Sequence, residues 1–103
     1  MEEWERRLGD EDAALYPIGV VAELLNVDVQ VVRRLEAAGV VEPARSEARQ
    51  RRYSRRDIAR LAHALRLADE GIPTAGIKRI MDLEDVVRDL TGTAEPQGSQ
   101  LPG

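Results

Sequence analysis

The stretch from Ile18 to Glu36 constrains the chain more than any other. Apolar Ile18, Val21, Leu24 and Leu25 recur at helical spacing, Asn26-Val27-Asp28 interrupts them, and a second amphipathic run follows. Pro17 suits the opening of the first run, because the N–H it lacks is one that a helix start leaves unpaired anyway. Asp28 can cap the second run, and Gly39 after Ala37-Ala38 offers a left-handed terminus. The spacing predicts helices over 18–25 and 29–38 joined by a tight polar turn. Each must bury its apolar stripe against a shared core.

The remainder reads as a small hairpin and two further helices. Val40-Val41 and Arg52-Tyr53 are expected as short strands, with Pro43 to Gln50 as the loop between them. Ser54 followed by Asp57 resembles a capping box, and the helix it opens carries Ile58, Leu61, Ala62 and Leu65 on one stripe before Gly71 ends it. Thr74 is expected to cap a last helix bearing Ile77, Ile80 and Met81, which Leu83, Val86, Val87 and Leu90 extend to about residue 90. Residues 1–15 form at most a short helix with Trp4 and Leu8 on one face, broken at Gly9-Asp10. Trp4 is expected to anchor this segment near Tyr16. The small, polar stretch 91–103, with Pro96 and Pro102, is expected to be disordered. The fold class is therefore mainly α: a winged helix-turn-helix with a two-stranded wing and two following helices. Its divisions are an acidic segment 1–14, a domain 15–84, a helical extension 85–90 and a tail 91–103.

Charge is placed unevenly. The chain carries −4 overall, yet residues 45–60 hold seven arginines (45, 49, 51, 52, 55, 56, 60) against Glu47 and Asp57. Residues 1–30 have two basic and eight acidic groups, residues 31–80 twelve and six, and residues 81–103 one and five. Beyond about 8 Å at physiological salt the acidic ends are largely screened from the basic centre. An arginine run by itself is usually a solvated face; behind a helix-turn-helix it points to an anion-binding surface for duplex DNA.

Other classes fail on inventory. The 103 residues hold no cysteine and one histidine, so disulfides and thiolate metal sites are excluded and His63 has no cysteine or second histidine to join it. His63 lies off the apolar stripe and is expected at the surface; no metal or cofactor is expected. An enzyme would need a nucleophile and base at recognisable spacing or a glycine-rich phosphate loop, and neither is present. No apolar stretch approaches membrane-spanning length and nothing resembles a signal peptide, so the expected location is the cytoplasm, on the nucleoid.

Three blocks taken together, Tyr16-Pro17-Ile18-Gly19-Val20-Val21-Ala22-Glu23-Leu24 to Val40, Arg51-Arg52-Tyr53-Ser54-Arg55-Arg56-Asp57-Ile58, and Gly71-Ile72 with Gly76-Ile77-Lys78-Arg79-Ile80, resemble the winged helix-turn-helix domain of MerR-type transcription regulators. Within that family Arg51-Arg52-Tyr53-Ser54 and residues 76–84 look most like the heat-shock repressor subgroup. The resemblance covers roughly residues 15–84. It implies a second helix in the major groove, a wing along the adjacent backbone, and a dimer gripping a near-palindromic operator. There are departures: where the family usually has a tyrosine in the second helix this chain has Leu35, wing glycines are replaced by Glu47-Ala48-Arg49-Gln50, and the long dimerisation helix and effector domain are expected to be reduced or missing.

The expected function is sequence-specific regulation, most simply repression, with double-stranded DNA as partner. The expected contact residues are Val29, Gln30, Arg33, Arg34, Arg45, Arg49, Arg51, Arg52 and Tyr53. Gln30 and Arg33 have the side chains that pair with adenine and guanine edges, and Arg34 can replace the missing phenol at the backbone. A weak homodimer is expected through Ile80, Leu83, Val87 and Leu90, and the same helix could receive another protein. The alternatives are a protein-interaction module on a winged-helix fold with little DNA affinity, or an excisionase-like architectural DNA-binding protein.

Overall fold

A computed structural model describes residues 13–92, and within them the backbone forms α1 (Ile18–Leu25), α2 (Val29–Ala37), β1 (Ala44–Arg45), β2 (Arg51–Arg52), α3 (Arg55–Asp69) and α4 (Thr74–Leu90). The helix expected around Trp4, the expected Trp4 anchor and the part of the 91–103 tail beyond residue 92, for which disorder is expected, lie outside the described residues.

Pro17 is the N-cap of α1, and its carbonyl accepts from Val20 and Val21 at 3.0 and 3.1 Å. Asn26 ends the helix in the left-handed region at φ 59, a conformation asparagine tolerates better than most side chains. Two residues later Asp28 Oδ1 accepts from the Gln30 N–H at 2.9 Å and starts α2. The three-residue turn therefore holds one left-handed residue, Asn26, and one cap, Asp28, with Val27 between them. Gly39, at φ 86, releases the chain after α2.

The core is continuous across all four helices. Val21 and Ala22 of α1 meet Val32 and Leu35 of α2, then Val40, Val41 and Tyr53, and finally Ile58, Leu61, Ala64 and Leu67 of α3 with Ile77 and Met81 of α4. Ser54 accepts from the Asp57 N–H at 3.0 Å while Asp57 accepts from the Ser54 N–H at 2.9 Å, so the reciprocal box forms with aspartate in the usual glutamate position.

Three local expectations are corrected. Val40-Val41 is not a strand: both residues are buried and fill the core behind the α2 terminus, and the first wing strand forms further on at Ala44–Arg45, inside the expected loop. Pairing there is set by the turn, which places Ala44 opposite Arg52 and Arg45 opposite Arg51. Tyr53 leaves the wing ladder and instead bridges to Tyr16, with N···O distances of 3.0 and 2.8 Å. Thr74 does not cap α4. It is the first helical residue, the cap is Pro73, and no side chain closes that end.

Candidate nucleic-acid interface

The outer face of α2 is polar because its inner face is spent on the core. Val32 and Leu35 are buried, and Val29 and Val31 pack half-buried at the edge. That leaves Gln30, Arg33, Arg34 and Ala37 on the solvent side, at the i, i+3, i+4, i+7 spacing of one helical face. Neither Arg33 nor Arg34 has a side-chain partner among the described residues. A guanidinium in that state keeps its donors available for base edges or phosphate. Val29, expected as a contact, leans onto the core and presents only part of its side chain.

The wing tip folds without glycine. Ser46 N–H donates to the Gln50 carbonyl at 2.8 Å, Arg49 N–H donates to the Ser46 carbonyl at 2.8 Å, and Ser46 Oγ accepts from Ala48 N–H and Gln50 N–H, both at 3.2 Å. Arg49 takes the left-handed position at φ 65 that glycine would otherwise fill. The serine supplies the bonds that hold a non-glycine residue there.

The arginines of the basic stretch have different orientations. Arg49 is exposed at the tip with no side-chain partner among the described residues. Arg45 donates to the Arg49 carbonyl at 3.3 Å, and Arg52 donates to the Arg51 carbonyl at 3.1 Å and to Gln50 Oε1 at 3.4 Å. These are bonds to neutral acceptors, and the positive charge of both side chains remains uncompensated. Arg51 is different: its Nε donates to Glu36 Oε2 at 2.7 Å, and that bond, with the charge attraction behind it, raises the guanidinium pKa further. Arg60 points inward, donating from Nε to the Val40 carbonyl at 2.9 Å and from Nη1 to Asp85 at 3.2 Å. Arg55 and Arg56 are also engaged within the chain.

Tyr53, expected at the interface, is 0% exposed. Its ring belongs to the core and its hydroxyl donates to Glu36 Oε1 at 3.0 Å. Burial first, then the neighbouring Glu36 carboxylate, push its pKa well above the ordinary phenol value. A groove contact by Tyr53 is incompatible with that burial. Glu36, absent from the expected contacts, joins both Arg51 and Tyr53; at a sequence separation of 15 and 17 residues nothing in spacing alone marks it.

His63 sits between helices, its Nε2 2.9 Å from Glu84 Oε1. No group of three metal-ligating side chains exists among the described residues, and no described helix is long and apolar enough to cross a membrane. On α4, Ile80 packs partly against the core, whereas Leu83, Val87 and Leu90 are 63%, 58% and 79% exposed, with Val86 beside them.

Comparison with known proteins agrees with this architecture. The family described as MerR HTH family regulatory protein matches residues 16–84. A Streptomyces coelicolor protein described as heat shock protein HspR is 43% identical over 94 residues, 90% of this chain and 62% of that protein. The HTH-type transcriptional regulator GlnR of Bacillus anthracis is 32% identical over 71% of this chain and 57% of its own length. The HTH-type transcriptional repressor CarH of Myxococcus xanthus is 32% identical over 82% of this chain and 29% of its own. The chain thus spans about three fifths of the length of the first two relatives. With the helix pair, the wing and the following helices in the family's order and its match running from Tyr16 to Glu84, the chain belongs to the MerR helix-turn-helix family of regulatory proteins.

Proposed function

We propose that this chain is a sequence-specific DNA-binding transcription regulator that represses by occupying its operator. The observation that carries the reading is the α2 face: Gln30, Arg33 and Arg34 project together from a helix whose opposite side is fixed in the core and whose Glu36 bonds Arg51 of the wing, the wing bearing exposed Arg49 at its tip. A rigid helix with a bidentate-capable arginine and an amide is suited to reading base edges, and flanking guanidinium groups are suited to phosphate. Arg45 and Arg52 add charge along the same hairpin. The repressor sense draws support from CarH, described as a repressor. Such a protein works in the cytoplasm, on the nucleoid.

The exposed Leu83, Val87 and Leu90 on α4, with Ile80 at their inner end, support a weak homodimer across a symmetric site. The seam from 80 to 90 extends about 15 Å at 1.5 Å per residue, short for a helix pair. The same face supports a second reading, an interaction module that docks another protein and binds DNA negligibly. A gel-shift titration against duplex DNA at moderate salt separates them. A regulator gives retarded complexes whose log affinity falls linearly with log salt, with a slope set by the phosphates neutralised; an interaction module gives none.

A further inference from the structure

We infer that Glu36 is the positioning residue that fixes the wing to the recognition helix, so that sequence selectivity, more than DNA affinity as such, depends on its carboxylate. The inference deepens the DNA-binding reading and rests on it. Glu36 lies on α2 three residues after Arg33, and its two oxygens are divided between two groups of the wing: Oε1 takes the Tyr53 hydroxyl at 3.0 Å and Oε2 takes Arg51 Nε at 2.7 Å. Its side chain is only 16% exposed.

The wing needs such a tie. Each strand has two residues, and a hairpin that short is not stable alone. At its base Tyr53 is held by backbone bonds to Tyr16 and by a buried ring, which secures the point of attachment. Along the hairpin, Arg51 meets α2 through Glu36, and that bond sets the angle between the two surfaces. Specific binding requires helix and wing to engage one duplex in register. Non-specific binding requires only cations near phosphates. A negative charge placed inside the basic surface lowers affinity for any DNA, and the pairing occupies Arg51 Nε and offsets part of its charge toward phosphate. The arrangement therefore sacrifices general affinity for fixed geometry.

The test uses the full chain and two duplexes of equal length, one carrying a sequence selected from a random pool and one scrambled, titrated over a salt series. Glu36→Ala is expected to weaken the selected duplex about tenfold, the scale of a charged hydrogen bond lost from the bound geometry. It is expected to bind the scrambled duplex more tightly, with a salt slope steeper by about 0.9 as Arg51 is released to phosphate. Tyr53→Phe keeps the ring and the Arg51 pair, and is expected to reduce selectivity about threefold with the scrambled slope unchanged. Glu36→Gln keeps an acceptor for Tyr53 and removes the charge, so it shows the slope change with a smaller selectivity loss; it and Tyr53→Phe carry the test if thermal melting shows Glu36→Ala unfolded. Equal weakening on both duplexes with unchanged slopes would make Glu36 a stability residue only and overturn the inference, as would no change on either. A wild-type chain that binds both duplexes alike overturns the DNA-reading proposal and the inference with it.

Discussion

At the scale of single residues, the side chains that matter are separated by direction rather than by charge. Arg33 and Arg49 project to solvent without side-chain partners among the described residues, whereas Arg51 and Arg60 are committed to Glu36 and Asp85. Arg33→Ala is expected to cost about 1–3 kcal/mol on the cognate site and to relax one position per half-site, as for a bidentate guanine contact. Arg49→Ala is expected to weaken all sequences alike and reduce the salt slope by about one. Gel-shift titrations on cognate and scrambled duplexes check both; a uniform loss for Arg33→Ala would make it a phosphate contact instead. The arginine concentration at 45–60 was legible as a basic surface, but a count of charges carries no orientation. The burial of Tyr53 and the inward turn of Arg60 come with contacts between residues 17 to 25 apart in sequence, which local pattern does not encode.

At the scale of elements, helix boundaries were legible where a capping side chain or a left-handed glycine marks them. Asp28, the Ser54–Asp57 box and Gly39 all act as their residue types dictate. The wing strands were not, because two-residue strands have too little alternation to read. Their register comes from Ser46 bonding across the tip, and the apolar pair Val40-Val41, which looks strand-like, is core filling. Gly39 provides a test at this scale. A Cβ there would lie 2.7 Å from Lys78 Cε, but that is the flexible end of a side chain and can move. The left-handed backbone at φ 86 cannot be relieved so easily. Gly39→Ala is therefore expected to lower stability by about 1–2 kcal/mol, and by the same amount in a Lys78→Ala background. Urea unfolding of the four variants measures it; a cost that vanishes with Lys78→Ala would assign it to crowding.

For the molecule as a whole, α4 links stability to assembly. Its inner side is tied to α3 by Arg60 to Asp85, with Arg88 on the same carboxylate. Partial burial opposes ionisation of Asp85, but the bonds from Arg88 and Arg60 outweigh it and hold the carboxyl below its usual range. A depressed folded value means stability present above the unfolded value of about 3.9 and lost as pH falls through the folded one. The wild-type advantage over Asp85→Asn is expected to be about 1 kcal/mol or less for this partly exposed pair, and to disappear in thermal melts taken below that pH. Among the described residues nothing covers the outer side of α4, where Leu83, Val86, Val87 and Leu90 are exposed. Leu83→Asp with Val87→Asp is expected to leave the monomer folded, since both side chains are exposed, and to abolish cooperative operator binding. Sedimentation and gel-shift titration check this, and wild-type cooperativity in the double variant would place the dimer contact elsewhere. Selection of bound duplexes from a random pool by the purified chain tests the central claim most directly. The account predicts a palindromic consensus whose half-sites contain a guanine lost from the consensus of Arg33→Ala; recovery of no enriched sequence would contradict it.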